Sequence, residues 1–247
     1  MRGGHRKKFT SLPDVIFIDL DNTLYPYEPA QRGAIESVEK KLRDSLGIKR
    51  NEFTQAFKNA REQVKKRLAG SPSCRSRLLY FQALLENFGL GSSVLNALDL
   101  EQTYWRNFLR NAELFEGVSN FLEDVRLRNI PIVLVSNLTT QIQFRKLVYL
   151  GVEEYFNFVV TSEEIGVEKP DARIFIAAAE KCNKMGGNIW MIGDDPICDI
   201  CGSSEALNCL TILKVSSLGS SAGKRCSPDF IFKDYNKLSK LLDSIES

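Results

Sequence analysis

Short apolar runs that alternate with helical patterns limit the folds open to this chain. The strand candidates are residues 15–18, 130–135, 158–161, 189–192, 210–213 and 230–232. Helical patterns lie between and after them at residues 118–128, 139–150, 172–181, 203–207 and 235–245. The strand candidates are continuous apolar runs, which are typical of a parallel sheet covered on both faces. The alternation therefore predicts an α/β fold with a doubly wound parallel sheet.

One long segment interrupts this alternation. Residues 27–111 contain no convincing strand, only amphipathic stretches such as "IESVEKKLRDSLG" and "RLLYFQALLENFG". About 85 residues are too many for an ordinary crossover, so we expect an inserted all-helical cap subdomain. The predicted organisation is a basic N-terminal tail at 1–13, an α/β catalytic core at 14–26 and 112–247, and a helical cap at 27–111.

The charge distribution argues against nucleic acid as a partner. The net charge is +2, and the only charged side chains of the tail are the four cations Arg2, Arg6, Lys7 and Lys8. The rest of the chain is therefore slightly acidic, which does not suit a broad nucleic-acid footprint. We expect the tail to be a solvated, poorly ordered terminus.

No apolar run approaches the roughly 20 residues that cross a bilayer, and the run after the tail is too short for a signal peptide. We therefore expect a cytoplasmic protein without a membrane partner. Six cysteines are scattered along the chain, and reduced thiols are the default expectation in a cytoplasm. Cys198 and Cys201 form a C-x-x-C pair, which we interpret as small buried residues rather than as a redox switch.

Polar residues gather at the ends of the predicted strands. "FIDLDNTLYP" places Asp19, Asp21 and Thr23 after the first strand, "VSN" places Ser136 and Asn137 after the second, "GVEKPD" carries Lys169 ahead of the fourth, and "GDDPICD" places Asp194, Asp195 and Asp199 after the fourth. Singly, these motifs are also typical of turns and helix caps. Because ligands of open parallel sheets bind beyond the carboxyl ends of the strands, we expect the whole set to converge there.

The chemistry of this set points to phosphoryl transfer. Converging carboxylates suit Mg²⁺, which binds one or two of them together with water and substrate phosphate. A nearby lysine and hydroxyl or amide donors suit a phosphoryl group. A cation would also offset the repulsion between Asp19 and Asp21. One carboxylate could then attack phosphorus, while the other serves as general acid and base.

The motifs "DLDNTLYP", "VSN", "EKPDARIF" and "GDDPICDICG" resemble the four motifs of haloacid dehalogenase superfamily phosphohydrolases, in the subclass whose helical cap follows the first strand. The resemblance covers residues 15–213. It implies that Asp19 is the nucleophile and a metal ligand, that Asp21 is the general acid/base with its backbone carbonyl on the metal, and that Thr23 braces the loop. Ser136 and Asn137 would contact the phosphoryl group, and Lys169 would be the neutralising cation. Asp194 would be a Mg²⁺ ligand, and Asp199 would support the metal's water shell or Lys169. Asp195 occupies a variable position and receives no role.

The superfamily includes activities besides the hydrolysis of phosphate esters. Dehalogenases of this type lack the second aspartate of the first motif, so the presence of Asp21 favours a phosphatase. A phosphonatase would need a Schiff-base lysine from the cap, and Lys58, Lys65 and Lys66 are available there, although helix lysines are usually solvated. A phosphomutase would use similar residues to move a phosphoryl group within a sugar, and a catalytically silent binding module would keep only the fold.

The cap suggests the class of substrate. A lid over the site would exclude water and large substrates, so we expect a small phosphorylated metabolite as the partner of a monomer or homodimer. In "AGSPSCRSRLLYF", Arg75 and Arg77 could clamp a carboxylate or a second phosphate. That favours a sugar phosphate or sugar-acid phosphate, with a nucleotide monophosphate second. The alternative is that both arginines are solvated residues of the first turn of a helix.

Overall fold

Six strands form one parallel sheet in the computed structural model, which describes residues 9–216 and 227–246. The strands are β1 (Val15–Ile18), β2 (Ile132–Ser136), β3 (Phe158–Thr161), β4 (Ile189–Gly193), β5 (Leu210–Lys214) and β6 (Phe230–Phe232). Their order across the sheet is β3-β2-β1-β4-β5-β6, and all five pairings are parallel. The predicted doubly wound parallel sheet is therefore confirmed.

The order of the strands locates the crevice of the sheet. The chain runs from β1 outward through β2 and β3, and then returns to place β4 on the other side of β1. In such a sheet the crevice opens beyond the carboxyl ends of the two strands at which the direction reverses. These strands are β1 and β4, which are followed by Asp19 and Asp194.

Helices follow or connect the strands. They are α1 (Tyr27–Leu46), α2 (Arg50–Arg67), α3 (Arg77–Asn87), α4 (Val94–Arg110), α5 (Val118–Leu127), α6 (Thr140–Leu150), α7 (Ser162–Ile165), α8 (Ala172–Lys181), α9 (Gly202–Leu207) and α10 (Asn236–Glu246). Short 3₁₀ turns cover Pro72–Arg75 and Glu153–Tyr155, and a π-helix covers Pro196–Cys201. No helix in the described part of the chain is long and apolar enough to span a bilayer.

By internal packing the chain divides into two compact units. The sheet unit comprises Met1–Tyr25 and Leu114–Ser247, and its interior is built from completely buried strand residues such as Phe17 and Met191. The helical unit comprises Pro26–Glu113 and holds α1 to α4.

Buried aromatic residues form the interior of the helical unit. Phe81 packs on Tyr104 with ring centroids 5.9 Å apart, and Tyr104 stacks on Phe108 at 6.0 Å. Helix α1 is followed by Gly47, whose φ of 68° suits glycine because this residue lacks the Cβ that strains left-handed backbone.

The tail is more ordered than the sequence suggests. Phe9 is buried and meets the ring of Trp190 edge-on, with centroids 4.9 Å apart. The side chain of Asn188 donates hydrogen bonds to the backbone oxygens of Ser11 and Leu12. The expectation of a poorly ordered tail is therefore wrong from Phe9 onward, because an apolar ring here has a core surface to cover. The basic residues of the tail lie outside the described residues.

The cysteines correct a second expectation. Cys74, Cys182, Cys198 and Cys209 form no disulfide, whereas Cys201 is disulfide-bonded. The expectation of reduced thiols throughout is therefore wrong for Cys201. Because Cys198 is free, the C-x-x-C pair is not itself a disulfide.

Candidate active site

The loop after β1 places the first group of predicted site residues. Asp19 follows the last residue of β1, and only 6% of its surface is exposed because the sheet and its crossovers surround it. The Thr23 hydroxyl donates to Asp19 Oδ2 at 3.1 Å and lies 3.5 Å from Asp194 Oδ1. The Thr23 side chain thus lies between the residues that follow β1 and β4, and its role as a brace of the loop stays a prediction.

Lys169 is the cation at the centre of the site. Its Nζ lies 2.7 Å from each of three acceptors, namely Asp19 Oδ1, Asp199 Oδ1 and the backbone oxygen of Val135. Burial acts to lower the pKa of Lys169, but the charges of Asp19 and Asp199 outweigh burial and raise the pKa above its usual value. Lys169 is therefore a permanent positive charge held against the proposed nucleophile.

Three carboxylates meet beside this lysine. One oxygen each from Asp19, Asp194 and Asp199 can be chosen so that all three lie within 4.8 Å of one another. The Asp21 carboxylate does not belong to this group, and the contribution of its backbone carbonyl to a metal site stays a prediction. Asp199 Oδ1 accepts a hydrogen bond from Lys169, and Asp199 Oδ2 accepts one from the backbone N–H of Asp195. These two bonds fix the orientation of the Asp199 carboxylate.

The pKa values of this group indicate a site suited to a divalent cation. Burial raises the pKa of Asp194 to about 8, and the charges of Asp19 and Asp199 add to that increase. Burial also raises the pKa of Asp19 to about 7, against the opposing effect of Lys169. Carboxylates that are so unfavourably ionised gain from a nearby cation, since an opposite charge favours the ionised form. The donor set is hard oxygen, which Mg²⁺ prefers.

Two donors follow β2. Ser136 is the last residue of β2, and its hydroxyl is buried and accepts a hydrogen bond from the side-chain amide of Gln143. The Asn137 side chain bonds the backbone of Lys169 in both directions, donating to its carbonyl at 2.9 Å and accepting from its N–H at 2.6 Å. In this structure Asn137 therefore holds the lysine loop in place, and its contact with a phosphoryl group stays a prediction.

The segment after β4 has a local reason for its shape. Asp195 accepts hydrogen bonds at 2.8 Å from the backbone N–H groups of Ile197 and Cys198, and it thereby caps the π-helix. A side-chain oxygen that bonds the first free N–H groups is the usual function of a helix N-cap. Asp195, which received no catalytic role, thus has a structural one.

Sequence reasoning missed the contacts of the Asp21 carboxylate. Lys146, on α6, places its Nζ 2.6 Å from Asp21 Oδ1 and 2.9 Å from Oδ2. The hydroxyl of Tyr25 donates to the same Oδ1. Lys146 is completely buried, and its spacing from the buried Ile142 and Leu147 is the signal that could have placed it on the inner face of α6.

Two further buried residues near the site escaped sequence reasoning. The Tyr235 hydroxyl donates to the backbone oxygen of Thr23 at 2.6 Å, so the chain ahead of α10 also braces the loop after β1. Lys214, at the end of β5, lies 3.5 Å from the ring centroid of Phe115. Burial lowers the pKa of Lys214, while the charge of Asp194 opposes that shift. Neither residue lies in a recognisable motif.

Arg75 and Arg77 belong to the helical unit, and both are half-buried. The guanidinium of Arg77 donates to the backbone oxygen of Arg75 at 2.7 Å and to the hydroxyl of Tyr27. It also lies 5.3 to 5.5 Å from the ring centroids of Tyr80, Tyr104 and Trp105. The alternative of a fully solvated Arg77 is therefore wrong.

Comparison with known proteins identifies the class of this fold and site. The sequence profile of the haloacid dehalogenase-like hydrolases matches residues 13–204. The chain therefore belongs to the haloacid dehalogenase-like hydrolases.

Curated relatives narrow the class further. The chain is 33% identical over 190 residues to a ribulose-1,5-bisphosphate 5-phosphatase from Halopiger xanaduensis, covering 76% of this chain and 80% of the relative. It is 30% identical over 193 residues to a glyceraldehyde 3-phosphate phosphatase from Methanothermobacter thermautotrophicus, covering 77% and 81%. Within its family, the protein is accordingly a phosphatase, a hydrolase of phosphoric monoesters.

A solved structure confirms the fold at lower identity. YfnB from Bacillus subtilis, in a crystal form bound to magnesium, superimposes with a TM-score of 0.70 at 19% identity. The match covers 94% of this chain and 99% of YfnB.

Proposed function

We propose that this protein is a Mg²⁺-dependent phosphatase that hydrolyses a small phosphomonoester through an aspartyl-phosphate intermediate. The observation that carries the proposal is the convergence of the carboxylates of Asp19, Asp194 and Asp199, of which Asp19 and Asp199 also bond the ammonium of Lys169. A buried nucleophile, a fixed cation and a hard-oxygen group are the components that phosphoryl transfer needs, because this reaction depends on positioning and charge neutralisation.

Asp19 performs the nucleophilic step in this mechanism. One oxygen of its carboxylate attacks phosphorus, and the bond from phosphorus to the leaving oxygen breaks. Lys169 neutralises negative charge beside Asp19 throughout, and the Ser136 hydroxyl is available to donate to a phosphoryl oxygen. Water then attacks phosphorus and releases inorganic phosphate, which restores Asp19.

Asp21 performs the proton transfers. It donates a proton to the leaving oxygen in the first step and accepts one from the attacking water in the second. The carboxylates of Asp19 and Asp194 and the backbone carbonyl of Asp21 would hold the metal. A bound Mg²⁺ would offset the charge of the phosphoryl oxygens. Asp21 also argues against the dehalogenase alternative, since a departing halide needs no proton.

The substrate class is the less constrained part of the proposal. The two curated relatives named above act on sugar phosphates, which supports a sugar phosphate or sugar-acid phosphate ahead of a nucleotide monophosphate. In the helical unit, burial and then the charges of Arg61 and Arg75 lower the pKa of Lys65. These neighbouring cations, together with Arg77, favour an anionic group such as a second phosphate or a carboxylate.

The test is metal-dependent phosphate release from a panel of sugar phosphates, sugar-acid phosphates, nucleotide monophosphates and a generic aryl phosphate. We expect turnover with Mg²⁺, none in excess chelator, and none from Asp19→Asn, because an amide is neither a nucleophile nor a good Mg²⁺ ligand. Glu180→Gln, at an exposed carboxylate on α8, is the matched control and should keep full activity. Full activity of Asp19→Asn, or of the wild type in excess chelator, would contradict the proposed mechanism.

A further inference from the structure

Helix α6 inverts the usual distribution of polar and apolar side chains at four of its positions. Gln143 and Lys146 have no solvent-exposed surface, whereas Phe144 and Val148 are 50% and 63% exposed. A surface helix normally turns its apolar residues inward and its charged residues outward. Sequences break this pattern mainly at functional sites, so the two buried polar residues call for a functional explanation.

The partners of the two buried side chains supply that explanation. A buried ammonium or amide is unfavourable unless it is hydrogen-bonded, and a buried charge needs a partner of opposite charge. Lys146 contacts both carboxylate oxygens of Asp21, at 2.6 and 2.9 Å. Gln143, on the same face three residues earlier, donates to the hydroxyl of Ser136. Both partners belong to the mechanism proposed above.

The contacts of Asp21 distinguish its two oxygens. Oδ1 accepts from the Tyr25 hydroxyl and has the shorter contact with Lys146. Within the part of the chain that the structure describes, the longer contact with Lys146 is the only hydrogen bond or ion pair of Oδ2. A carboxyl carries its proton on one oxygen at a time, so Oδ2 is the oxygen left to carry the proton that is transferred.

We propose that Lys146 is a positioning residue that orients the Asp21 carboxyl for protonation of the leaving oxygen, an inference that rests on the proposed function. In this step the bond from Asp19 to phosphorus forms and the bond from phosphorus to the leaving oxygen breaks. The proton passes from Asp21 Oδ2 to the departing oxygen. Lys146 exchanges no proton, and it acts only by fixing where that proton is presented.

The test compares leaving groups. Departing sugar alkoxides need a proton, whereas p-nitrophenolate leaves without one, so only sugar phosphates depend on a correctly placed acid. The ratio kcat/KM is the proper readout, because it reports the steps up to departure of the leaving group. For Lys146→Met we expect a fall of about 10²-fold with ribulose 1,5-bisphosphate or glyceraldehyde 3-phosphate, whichever the wild type hydrolyses faster. With p-nitrophenyl phosphate the fall should stay below about 5-fold.

Two variants of the same helix act as controls. Lys146→Arg keeps the charge and should recover part of the lost activity on the sugar phosphate. Arg145→Met removes an exposed charge from the adjacent position and should change neither substrate. Equal falls on both substrates, or no fall on either, would overturn the role of Lys146 and leave the proposed function intact.

A second variant tests the inference if Lys146→Met does not fold. If circular dichroism and thermal melting show that Lys146→Met does not fold, Tyr25→Phe removes the other contact to Oδ1 with little change in volume. A selective loss on the sugar phosphate in that variant supports the inference, and an equal loss or no loss contradicts it. An inactive wild type would instead overturn the proposed function, and this inference with it.

Discussion

Asp19 and Asp21 are two residues apart in the chain, yet their carboxylates have separate partners. Asp19 contacts Lys169 and Thr23, beside the carboxylates of Asp194 and Asp199. Asp21 contacts Lys146 and Tyr25. Because the second carboxylate is held by a different cation, the two residues can have different roles in one reaction.

This separation predicts different effects for the two asparagine variants. Asp21→Asn should leave Mg²⁺ affinity largely intact, since Asp21 is expected to offer the metal only its backbone carbonyl. It should still lower kcat on a sugar phosphate by about 10²–10⁴-fold, the usual scale of general acid/base catalysis. Isothermal titration with Mg²⁺ and steady-state kinetics give the two readings. A variant that lost metal affinity but kept its rate at saturating metal would refute the assignment.

The raised pKa values of Asp19 and Asp194 predict a pH-dependent stabilisation by Mg²⁺. In the folded protein the pKa is about 7 for Asp19 and about 8 for Asp194, against a usual value of 3.8, and burial is the largest cause of both increases. A carboxyl with a raised folded pKa destabilises the fold once ionised, and this effect grows as the pH rises from about 4 to about 8. A cation that binds the ionised forms offsets the effect, so the increase in Tm with Mg²⁺ should be larger at about pH 8.5 than at about pH 5.5.

Thermal melting at the two pH values, with and without Mg²⁺, measures this difference. Asp194→Asn removes a ligand and one of the shifted groups, so the metal-dependent increase in Tm should shrink at the higher pH. An increase in Tm that is independent of pH would contradict the proposed metal site.

At the scale of elements, the end of β4 depends on one glycine. A Cβ added at Gly193 would lie 2.3 Å from the carboxyl carbon of Asp199, which is buried and bonded to Lys169. Gly193→Ala must displace that carboxylate, so we expect a loss of about 1–3 kcal/mol in the free energy of unfolding, together with reduced activity.

A double-mutant cycle in urea tests the cause of that loss. If the clash is with Asp199, Gly193→Ala should be much less destabilising in an Asp199→Gly background, because the obstructing side chain is gone. Equal destabilisation in both backgrounds would place the clash elsewhere.

Sequence patterns locate the strands well and their ends less well. The strand predicted from Ile130 begins at Ile132, since Pro131 lacks an N–H for the ladder. At the other end, Ser136, Gly193 and Lys214 extend their strands through pairing with Thr161, Leu213 and Phe232. A polar residue or glycine there resembles the start of a loop, and only the neighbouring strand decides otherwise.

Some residues of the candidate site could be predicted from the sequence, and others could not. Residues within motifs at strand ends could be named from the sequence, because parallel topology carries them to one edge of the sheet. Lys146 could not be paired with Asp21, since 125 residues separate them and the pairing depends on how α6 is rotated against the sheet. The hydrogen bond from Tyr235 to the backbone oxygen of Thr23 could not be predicted for the same reason, because it connects residues 212 positions apart.

At the scale of the whole molecule, substrate choice is the property that we assign to the helical unit. If Arg75 and Arg77 bind a second anionic group, Arg75→Ala and Arg77→Ala should each lower kcat/KM on the preferred sugar phosphate by about 10-fold or more. Activity on an aryl phosphate, which lacks that group, should change little. Arg110→Ala, at the exposed end of α4, is the control. Equal, small effects on both substrates would discard the clamp.

The most direct test of the central claim is to locate the phosphoryl group during turnover. Enzyme mixed with the preferred sugar phosphate and Mg²⁺ is quenched in acid within the first turnover, and its peptides are sequenced by mass spectrometry. The proposed mechanism predicts a phosphoryl group on Asp19 in the wild type and none in Asp19→Asn. Substrate turnover with no phosphorylated aspartate in any variant, or with the phosphoryl group on a different residue, would contradict it.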